Sequence, residues 1–220
     1  MKGCEFVSVD PRSPDQEIIG KAGELIKKGR LVVFPTSTVY GLGAHAFNPP
    51  AVQSVFRVKE RDPQKPILVL IAYLADLIPL VRSIPVVARR LINGFWPGDV
   101  TLVFQASDVF PPSLIGYTGK IGIRLAAHPV ASALVKAVGS PITGTSANIS
   151  GKGGCMRVNE LNHQIRSQVD LVLDAGELSG GRGSTVVDVT EVPPRILRAG
   201  VVPAEHIKSV LSRLSDEDAR

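Results

Sequence analysis

Apolar residues fall into short continuous runs that alternate with stretches of helical periodicity, and this pattern predicts strands and helices in turn. Between residues 18 and 26, apolar side chains recur every three or four positions, which is typical of one buried helix face. Ser13 and Gln16 have the spacing of a capping box, Pro14 suits the first helical position, and Gly29 suits the helix end. We therefore expect the first helix to begin after Ser13 and to end at Gly29.

The strand signals are unbroken apolar runs bounded by glycine or proline. The run 31–34 lies between Gly29 and Pro35 and predicts a short buried strand whose end meets the loop 35–43. A second helix opens at Asn48-Pro49. Further strands are predicted at 67–71, 100–105, 120–125, 142–145, 171–174, 184–189 and 195–197, and helical patterns lie around 85–93, 129–138, 158–167 and 203–214.

The order of these elements defines the expected fold class. It begins as strand, helix, strand, helix and ends with strands close together, which predicts an α/β fold with a mixed parallel and antiparallel sheet flanked by helices. The sequence has no internal repeat and no linker long enough to separate two domains. We expect a single domain over residues 1–220, with its core at about 8–212 and a frayed polar tail at 215–220.

Composition narrows the class of protein. The 220 residues are 44% hydrophobic and 20% charged, as in a globular chain. The apolar stretch 66–75 is too short to span a membrane, and charged residues in the first twenty argue against a signal peptide, so we expect a cytoplasmic protein. The net charge of +5 favours an anionic partner, which the charge leaves open among a nucleotide, RNA and other polyanions. Two distant cysteines and four histidines without ligand spacing predict no metal site.

Basic side chains are concentrated in one segment that follows the second predicted helix. Arg57, Lys59, Arg61 and Lys65 supply four cations in nine residues, and two prolines in the segment favour an ordered loop over a helix face. Arginine offers a planar fork to phosphate oxygens and lysine a mobile point charge, so a polyphosphate would suit this loop. A basic loop that only aids solubility is the alternative.

Hydroxyl-rich loops with glycines follow several predicted strands, at 35–43, 143–151 and 183–185. Such loops bring backbone N–H groups close to a ligand, although hydroxyls that cap their own turn would look the same. Arg124 and Arg198 lie near strand ends, where a buried arginine needs an anionic partner, either a structural carboxylate or a ligand. Asp174 and Asp188 at strand ends suit loop caps better than a metal site.

Seven segments together resemble the YrdC/Sua5 family, in the same order and over nearly the whole chain. Lys59 with Arg61, and Ser146 with Asn148, match the K-x-R and S-x-N pairs of that family. The segments are PTSTVYGLG at 35–43, KERDPQKP at 59–66, WPGDVTLVF at 96–104, GIRLAAHP at 122–129, TSANISG at 145–151, GSTVVDV at 183–189 and ILRAG at 196–200.

The resemblance implies a YrdC/RibB-like twisted mixed sheet around a deep basic cavity that binds ATP and L-threonine. It implies an L-threonylcarbamoyladenylate synthase, which converts threonine, bicarbonate and ATP to threonylcarbamoyl-AMP and pyrophosphate. A downstream transferase complex would use this product to modify an adenosine of tRNAs that decode ANN codons. Mg2+ would accompany the ATP, held mainly by phosphate oxygens and water.

The resemblance also implies residue roles. Lys59 and Arg61 would be the catalytic cations, and Arg124 would clamp the threonine carboxylate. ATP-binding positions are Arg61, Lys65, Lys120, Ser146, Asn148, Gly154 and Arg198, and threonine-binding positions are Thr38, Arg124, Gly144 and Ser184. The sequence departs from relatives at Ser37, where an acidic residue is usual, and at Leu70, where some relatives carry a side chain that can contact threonine.

Two other functions remain open at this point. Hydrogenase maturation proteins contain a related domain that uses carbamoyl phosphate, but they carry further acylphosphatase-like and zinc-finger regions for which this chain has no room. A non-catalytic module that grips tRNA or double-stranded RNA would also use basic charge. We expect the single-domain form of the family, without the C-terminal extension of the larger Sua5 proteins.

Overall fold

The computed structural model describes residues 3–217, with side chains up to residue 212. The strands are β1 (Glu5–Ser8), β2 (Val32–Phe34), β3 (Gly41–Gly43), β4 (Val69–Ile71), β5 (Val100–Gln105), β6 (Lys120–Leu125), β7 (Ile142–Thr143), β8 (Thr145–Ser146), β9 (Leu171–Asp174), β10 (Thr185–Asp188) and β11 (Arg195–Arg198). The α-helices are α1 (Gln16–Lys27), α2 (Pro49–Val58), α3 (Val86–Phe95), α4 (Pro112–Ile115), α5 (Pro129–Val138), α6 (His163–Arg166) and α7 (Ala204–Glu217).

These strands form two sheets. The first sheet has the order β1-β9-β2-β3-β8, and the second has the order β11-β10-β5-β6-β4-β7. Both are mixed: β2 is parallel to β9 but antiparallel to β3, and β5 is parallel to β10 but antiparallel to β6. The expected mixed α/β class with flanking helices is confirmed, with the strands divided between two sheets.

The two sheets meet at Gly144, inside what the sequence suggested was one strand at 142–145. The structure divides this segment into β7 of the second sheet and β8 of the first. The N–H of Gly144 donates to the carbonyl of Leu68 at 2.9 Å, and a Cβ at this position would overlap the side chains of Leu68 and Leu70. Close packing against a distant segment therefore requires a glycine here and breaks the strand.

The segment 35–43 was expected to be a loop, but its end forms β3. Gly41 and Gly43 pair with β2 in an antiparallel arrangement, and the ring of Phe34 lies over both glycines. A Cβ on either glycine would stand 3.0 Å from that ring. Glycine is unfavourable in a strand by itself, so the packing of Phe34 explains why the sequence pattern did not predict β3.

Two helix predictions need correction. Asp15, not Ser13, caps α1, because its Oδ1 accepts from the backbone N–H of Glu17 at 2.7 Å and of Ile18 at 3.2 Å. The helical pattern at 158–167 is a 3-10 turn followed by the short α6. The end of α1 near Gly29, which has a φ of +76°, and the Asn48 cap of α2 are confirmed.

Helices pack on the sheets and leave one face of the second sheet to the site described next. Among these contacts, α1 packs on α5, where Gly23 lies against Ala137.

The strand β1 was not predicted, because its residues are mostly exposed and only its pairing with β9 defines it. Within residues 3–217, every helix is too short or too polar to cross a membrane.

Candidate functional site

A cavity of about 660 Å3 is lined by residues from both sheets. The first sheet contributes the segment that joins β2 to β3, and the second contributes β5, β6, β10 and β11. The loops that follow α2 and β8 complete the lining. A cavity of this size is in the range of small-molecule and cofactor sites.

The alternation of side chains along β6 gives the cavity its charged lining. Lys120, Gly122 and Arg124 line the cavity, whereas Ile121 and Ile123 are fully buried in the core. Successive side chains of a strand point to opposite faces, so every second residue of β6 reaches the site. This explains how a strand with a buried apolar half presents two cations to one cavity.

Lys120 lies among carboxylates. Its Nζ is 2.8 Å from Oδ2 of Asp188 and 3.4 Å from Oε1 of Glu191. The strand register brings these groups together, because Asp188 lies opposite Val103, which pairs with a β6 residue two positions from Lys120. The hydrogen bond from Lys120 lowers the pKa of Asp188 against the opposing effect of burial, and the Asp188 carboxylate raises the pKa of Lys120.

Arg124 is paired with a carboxylate as well. Its Nη1 donates to Oδ1 of Asp99 at 3.0 Å, and both side chains are largely buried. Burial lowers the pKa of Arg124 and Asp99 opposes this shift. Within residues 3–217, Nε of Arg124 is buried and has no hydrogen-bond acceptor. The sequence left open whether the anionic partner of Arg124 is a structural carboxylate or a ligand. In the structure, this partner is the carboxylate of Asp99.

Hydroxyl groups connect this region to β11. The Thr101 and Ser184 hydroxyl oxygens are 2.8 Å apart and buried. Arg198 donates through Nη2 to the Ser184 carbonyl at 2.8 Å and to the Ser184 hydroxyl at 3.2 Å. The guanidinium of Arg198 therefore reaches the cavity from the more exposed β11. Its acceptors there are the neutral carbonyl and hydroxyl oxygens of Ser184.

Lys59 ties the basic segment to the loop after β8. This side chain is only 2% exposed, and its Nζ donates to the carbonyl of Asn148 at 2.7 Å, to its Oδ1 at 3.2 Å and to the carbonyl of Ser146. An ammonium group has three N–H donors, so all three are used. The hydroxyl of Ser146 also donates to Oδ1 of Asn148. Lys59 of the K-x-R pair and both residues of the S-x-N pair thus form one network.

Burial and the charge of Arg61 lower the pKa of Lys59 to about 7. The three oxygen acceptors around Nζ act in the opposite direction, because only the ammonium form can donate to all of them. Burial and the charge of Arg198 likewise lower the pKa of Arg61. Lys59 and Arg61 therefore place positive charges close together in a buried region, and a bound anion would stabilise them.

Arg61 is held by its own segment. Its Nε donates to the carbonyl of Lys65 at 3.0 Å and its Nη2 to the carbonyl of Pro66 at 2.8 Å. Like Lys59 and Arg198, it has no carboxylate partner among the described residues. We call Lys59, Arg61 and Arg198 the unpaired cations, since neutral oxygen atoms are their hydrogen-bond acceptors.

The opposite wall contains the hydroxyl loop after β2. The hydroxyl of Thr36 donates to the carbonyl of Val39 at 2.7 Å and accepts from the N–H of Thr38 at 3.4 Å. The carbonyl of Thr38 accepts from the N–H of Gly180 at 2.9 Å. Thr36 therefore caps its own turn, as the structural reading of this loop expected, while Thr38 lines the cavity.

The structure brings nearly all of the site residues expected from the sequence into the cavity lining. Lys65 and Gly154 are not in that lining: Lys65 contributes its carbonyl to Arg61, and Gly154 packs on Val39. Those that line the cavity are Thr38, Lys59, Arg61, Lys120, Arg124, Gly144, Ser146, Asn148, Ser184 and Arg198. Neither Ser37 nor Leu70, the two departures from relatives, lines the cavity in the described structure.

Sequence reasoning missed the polar residues that lie beside the cations. Asp99 and Thr101 both belong to the segment WPGDVTLVF, but no pattern in it showed that they would meet Arg124 and Ser184. Glu191 lies in the loop between β10 and β11 and had no signal of its own. These contacts join residues far apart in sequence, so only the strand register reveals them.

Fold and cavity first define a class: an α/β protein in which two mixed sheets line a basic cavity suited to a polyanionic small molecule. A family model for Sua5, YciO and YrdC proteins, described as telomere recombination, matches residues 24–200. The chain belongs to this family.

Individual proteins resemble this chain in both sequence and structure. A threonylcarbamoyl-AMP synthase of Pyrococcus abyssi is 38% identical over 209 residues, which cover 95% of this chain and 61% of the relative. The structure of Pyrococcus abyssi Sua5 complexed with L-threonine matches with a TM-score of 0.89 and 37% identity, over 93% of this chain and 60% of that one. Escherichia coli YciO matches with a TM-score of 0.85 and 28% identity, over 93% of this chain and 99% of its own. The chain thus spans about three fifths of the length of the Pyrococcus proteins.

Proposed function

We propose that this protein is an L-threonylcarbamoyladenylate synthase that uses ATP, L-threonine and bicarbonate. The observation that carries the proposal is the group of unpaired cations, Lys59, Arg61 and Arg198, which share one cavity and have neutral oxygen atoms as acceptors. Partly desolvated cations without carboxylates are stabilised by an anionic ligand. A triphosphate supplies several negative charges that match such a group.

The amino acid would bind in the part of the cavity where Arg124 and the paired hydroxyls of Thr101 and Ser184 lie. A guanidinium suits an amino-acid carboxylate, and neighbouring hydroxyls suit small polar groups. The relative whose structure contains L-threonine supports this choice of amino acid. Thr38 and Gly144 line the same cavity and complete the proposed threonine site.

The proposed chemistry is the activation of a carbamate. The amino group of threonine and bicarbonate give an N-carboxylated amino acid and water, and a carbamate oxygen then attacks the α-phosphate of ATP to release pyrophosphate. Negative charge grows on the phosphates as pyrophosphate leaves. Lys59 and Arg61 are held in place by hydrogen bonds before the ligand arrives, so they can stabilise that charge without reorganising.

Mg2+ is proposed to enter with ATP, as a partner of the phosphate oxygens. In the part of the chain that the structure describes, no three histidine, cysteine or carboxylate side chains come together as a metal site. Asp188 and Glu191 are the acids of the lining and both contact Lys120. Phosphate oxygens and water are the ligands that Mg2+ prefers at nucleotide sites.

The ATP contacts proposed for Lys65 and Gly154 would require those residues to reach the nucleotide from outside the lining.

The product would serve a transferase that modifies tRNA adenosine. The assay that tests the proposal is pyrophosphate release from ATP with bicarbonate, with and without L-threonine, and mass spectrometry of the adenylate formed. We expect release that depends on threonine and a threonylcarbamoyl-AMP product. Equal release without threonine would reject the proposal, activity with carbamoyl phosphate would favour maturation-type chemistry, and salt-sensitive RNA binding without turnover would favour an RNA-binding module.

A further inference from the structure

We propose that Asp99 is a positioning residue, whose carboxylate fixes the guanidinium of Arg124 in the orientation that receives the carboxylate of the amino-acid substrate. The proposal rests on the proposed function, since it names the residue that orders the amino-acid site. Asp99 is not part of the cavity lining, whereas Arg124 is. Asp99 would therefore act on the substrate only through Arg124.

The backbone around Asp99 places its carboxylate rigidly. The carbonyl of Asp99 accepts from the N–H of Thr185 at 2.9 Å, which ties the turn to β10. Nε1 of Trp96 donates to the carbonyl of Val100 at 2.7 Å, so this bond spans the turn that contains Asp99. Gly98 is packed so closely that a Cβ would overlap the carbonyl of Phe95. A carboxylate on a turn fixed at both ends can hold its partner in one orientation.

The surroundings of Arg124 favour a counter-charge next to its guanidinium. Arg124 is 8% exposed, and the nearby charge of Arg198 adds to the unfavourable effect of burial. A buried charge without a partner is strongly destabilising. Asp99 supplies the counter-charge from outside the lining, so it neutralises Arg124 without occupying the space that a ligand needs.

Arg124 retains donors for a ligand after pairing with Asp99. A guanidinium carries five N–H donors in a planar fork, and Asp99 accepts from Nη1. Nε also has no acceptor among residues 3–217, but it is buried, so the donors left for a ligand are on the Nη atoms. An arginine rotates about several bonds, and fixing one corner of the fork leaves the remaining donors in a defined plane for a second carboxylate. The hydroxyls of Thr101 and Ser184 line the same cavity.

The test is a double-mutant cycle with a matched control. Asp99→Asn keeps the shape and an acceptor oxygen but removes the charge, and Arg124→Ala removes the group that it positions. We expect Asp99→Asn to weaken L-threonine binding roughly 5- to 20-fold in calorimetry, with ATP affinity changed less than about twofold. In the Arg124→Ala background the same change should alter threonine binding less than about twofold. Asp108→Asn, which breaks an exposed pair with Arg82 at the same 3.0 Å distance, should change neither affinity.

A second measurement needs no ligand. The Arg124 guanidinium should show separate, slowly exchanging Nη–H signals in the NMR spectrum of the free wild-type protein, and Asp99→Asn should merge them. Unchanged threonine affinity in Asp99→Asn, full additivity in the cycle, or a parallel loss of threonine and ATP binding with a lower Tm would overturn the proposal. A wild-type protein that binds no threonine overturns the proposed function, and merged Nη–H signals in that protein overturn the positioning role independently.

Discussion

The cavity contains two kinds of cation, and the difference between them is in their partners. Lys59, Arg61 and Arg198 donate to carbonyl, amide or hydroxyl oxygens. Lys120 and Arg124, on the same strand β6, each contact a carboxylate at 3.0 Å or less. The unpaired cations raise the positive potential of the cavity, whereas the charge of each paired cation is offset by its carboxylate partners.

This difference separates attraction from orientation. A group without counter-ions gains most from an incoming polyanion, because the ligand relieves repulsion among its members. A cation fixed by a carboxylate gains less charge attraction but offers its remaining donors in a set geometry. We therefore expect the unpaired cations to control nucleotide binding and chemistry, and Arg124 to control the recognition of the amino acid.

Lys120 does not fit the simple form of this division. The family resemblance implies that it contacts ATP, yet its ammonium lies between Asp188 and Glu191. To contact a phosphate, Lys120 would have to exchange at least one carboxylate for the ligand. The contact to Glu191 is the weaker of the two, because the Glu191 side chain is 43% exposed whereas that of Asp188 is only 3% exposed.

The largest effect is expected from Lys59→Ala. The change removes a preorganised charge and leaves the loop oxygens of Ser146 and Asn148 without their donor, so turnover should fall roughly 100- to 1,000-fold. ATP affinity, measured separately by calorimetry, should fall less. Steady-state kinetics at saturating threonine and bicarbonate gives the first quantity, and a thermal melt reports whether the variant is folded.

Lys65→Ala is the matched control for this change. Lys65 lies in the same basic segment but outside the cavity lining, so its removal should change turnover and ATP affinity little. The family resemblance instead implies an ATP contact for Lys65, so a large loss of ATP affinity would support that role and extend the unpaired group. Unchanged turnover in a folded Lys59→Ala protein would show that this lysine only holds the nucleotide.

How much of this could be read from the sequence depends on the range of each interaction. The bounds of β5, β6, β9 and α5 were predicted correctly, because the apolar patterns that define them are local in sequence. The division into two sheets was not, because it depends on how Gly144 packs against Leu68 and Leu70. The same holds for β3, which depends on the ring of Phe34.

Site prediction had the same limit. The cavity residues that belong to compact motifs, such as Ser146 and Asn148, were found because short-range patterns carry the family resemblance. The carboxylates that divide the cations into two kinds were not found, since Asp99 meets Arg124 across 25 positions of sequence. Partner identity, rather than the presence of a charged residue, is what the fold adds.

An intermediate effect is expected from pH. The pKa of Lys59 is lowered to about 7 in the free protein, and a bound triphosphate favours the ammonium form and raises that pKa again. ATP binding should therefore take up close to one proton at about pH 8, and ATP affinity should fall roughly five- to tenfold between about pH 7.5 and 8.5.

Calorimetry in two buffers of different ionisation enthalpy measures this proton uptake directly. Lys59→Met removes the titrating group and keeps an unbranched apolar side chain, so the uptake and most of the pH dependence should disappear. Arg61→Met should keep a proton uptake but move it to higher pH, because Lys59 still titrates and loses the nearby charge that helps to lower its pKa. Equal uptake in the wild-type and Lys59→Met proteins would assign the proton to another group.

The smallest effect is expected from Glu191→Gln, which tests whether a paired cation can be moved toward the unpaired kind. The 3.4 Å contact with Lys120 is partly exposed, and contacts of this type are worth about 0.2 to 1 kcal/mol. Removing the charge should free Lys120 for phosphate and strengthen ATP binding by less than about fivefold, with threonine affinity unchanged. Glu177→Gln is the matched control, because it makes the same charge change at an exposed pair with Arg157 outside the cavity lining. If both variants strengthen ATP binding equally, the effect comes from net charge alone. If Glu191→Gln weakens ATP binding, Glu191 holds Lys120 in its binding position, and Lys120 is then oriented by its carboxylates as Arg124 is by Asp99.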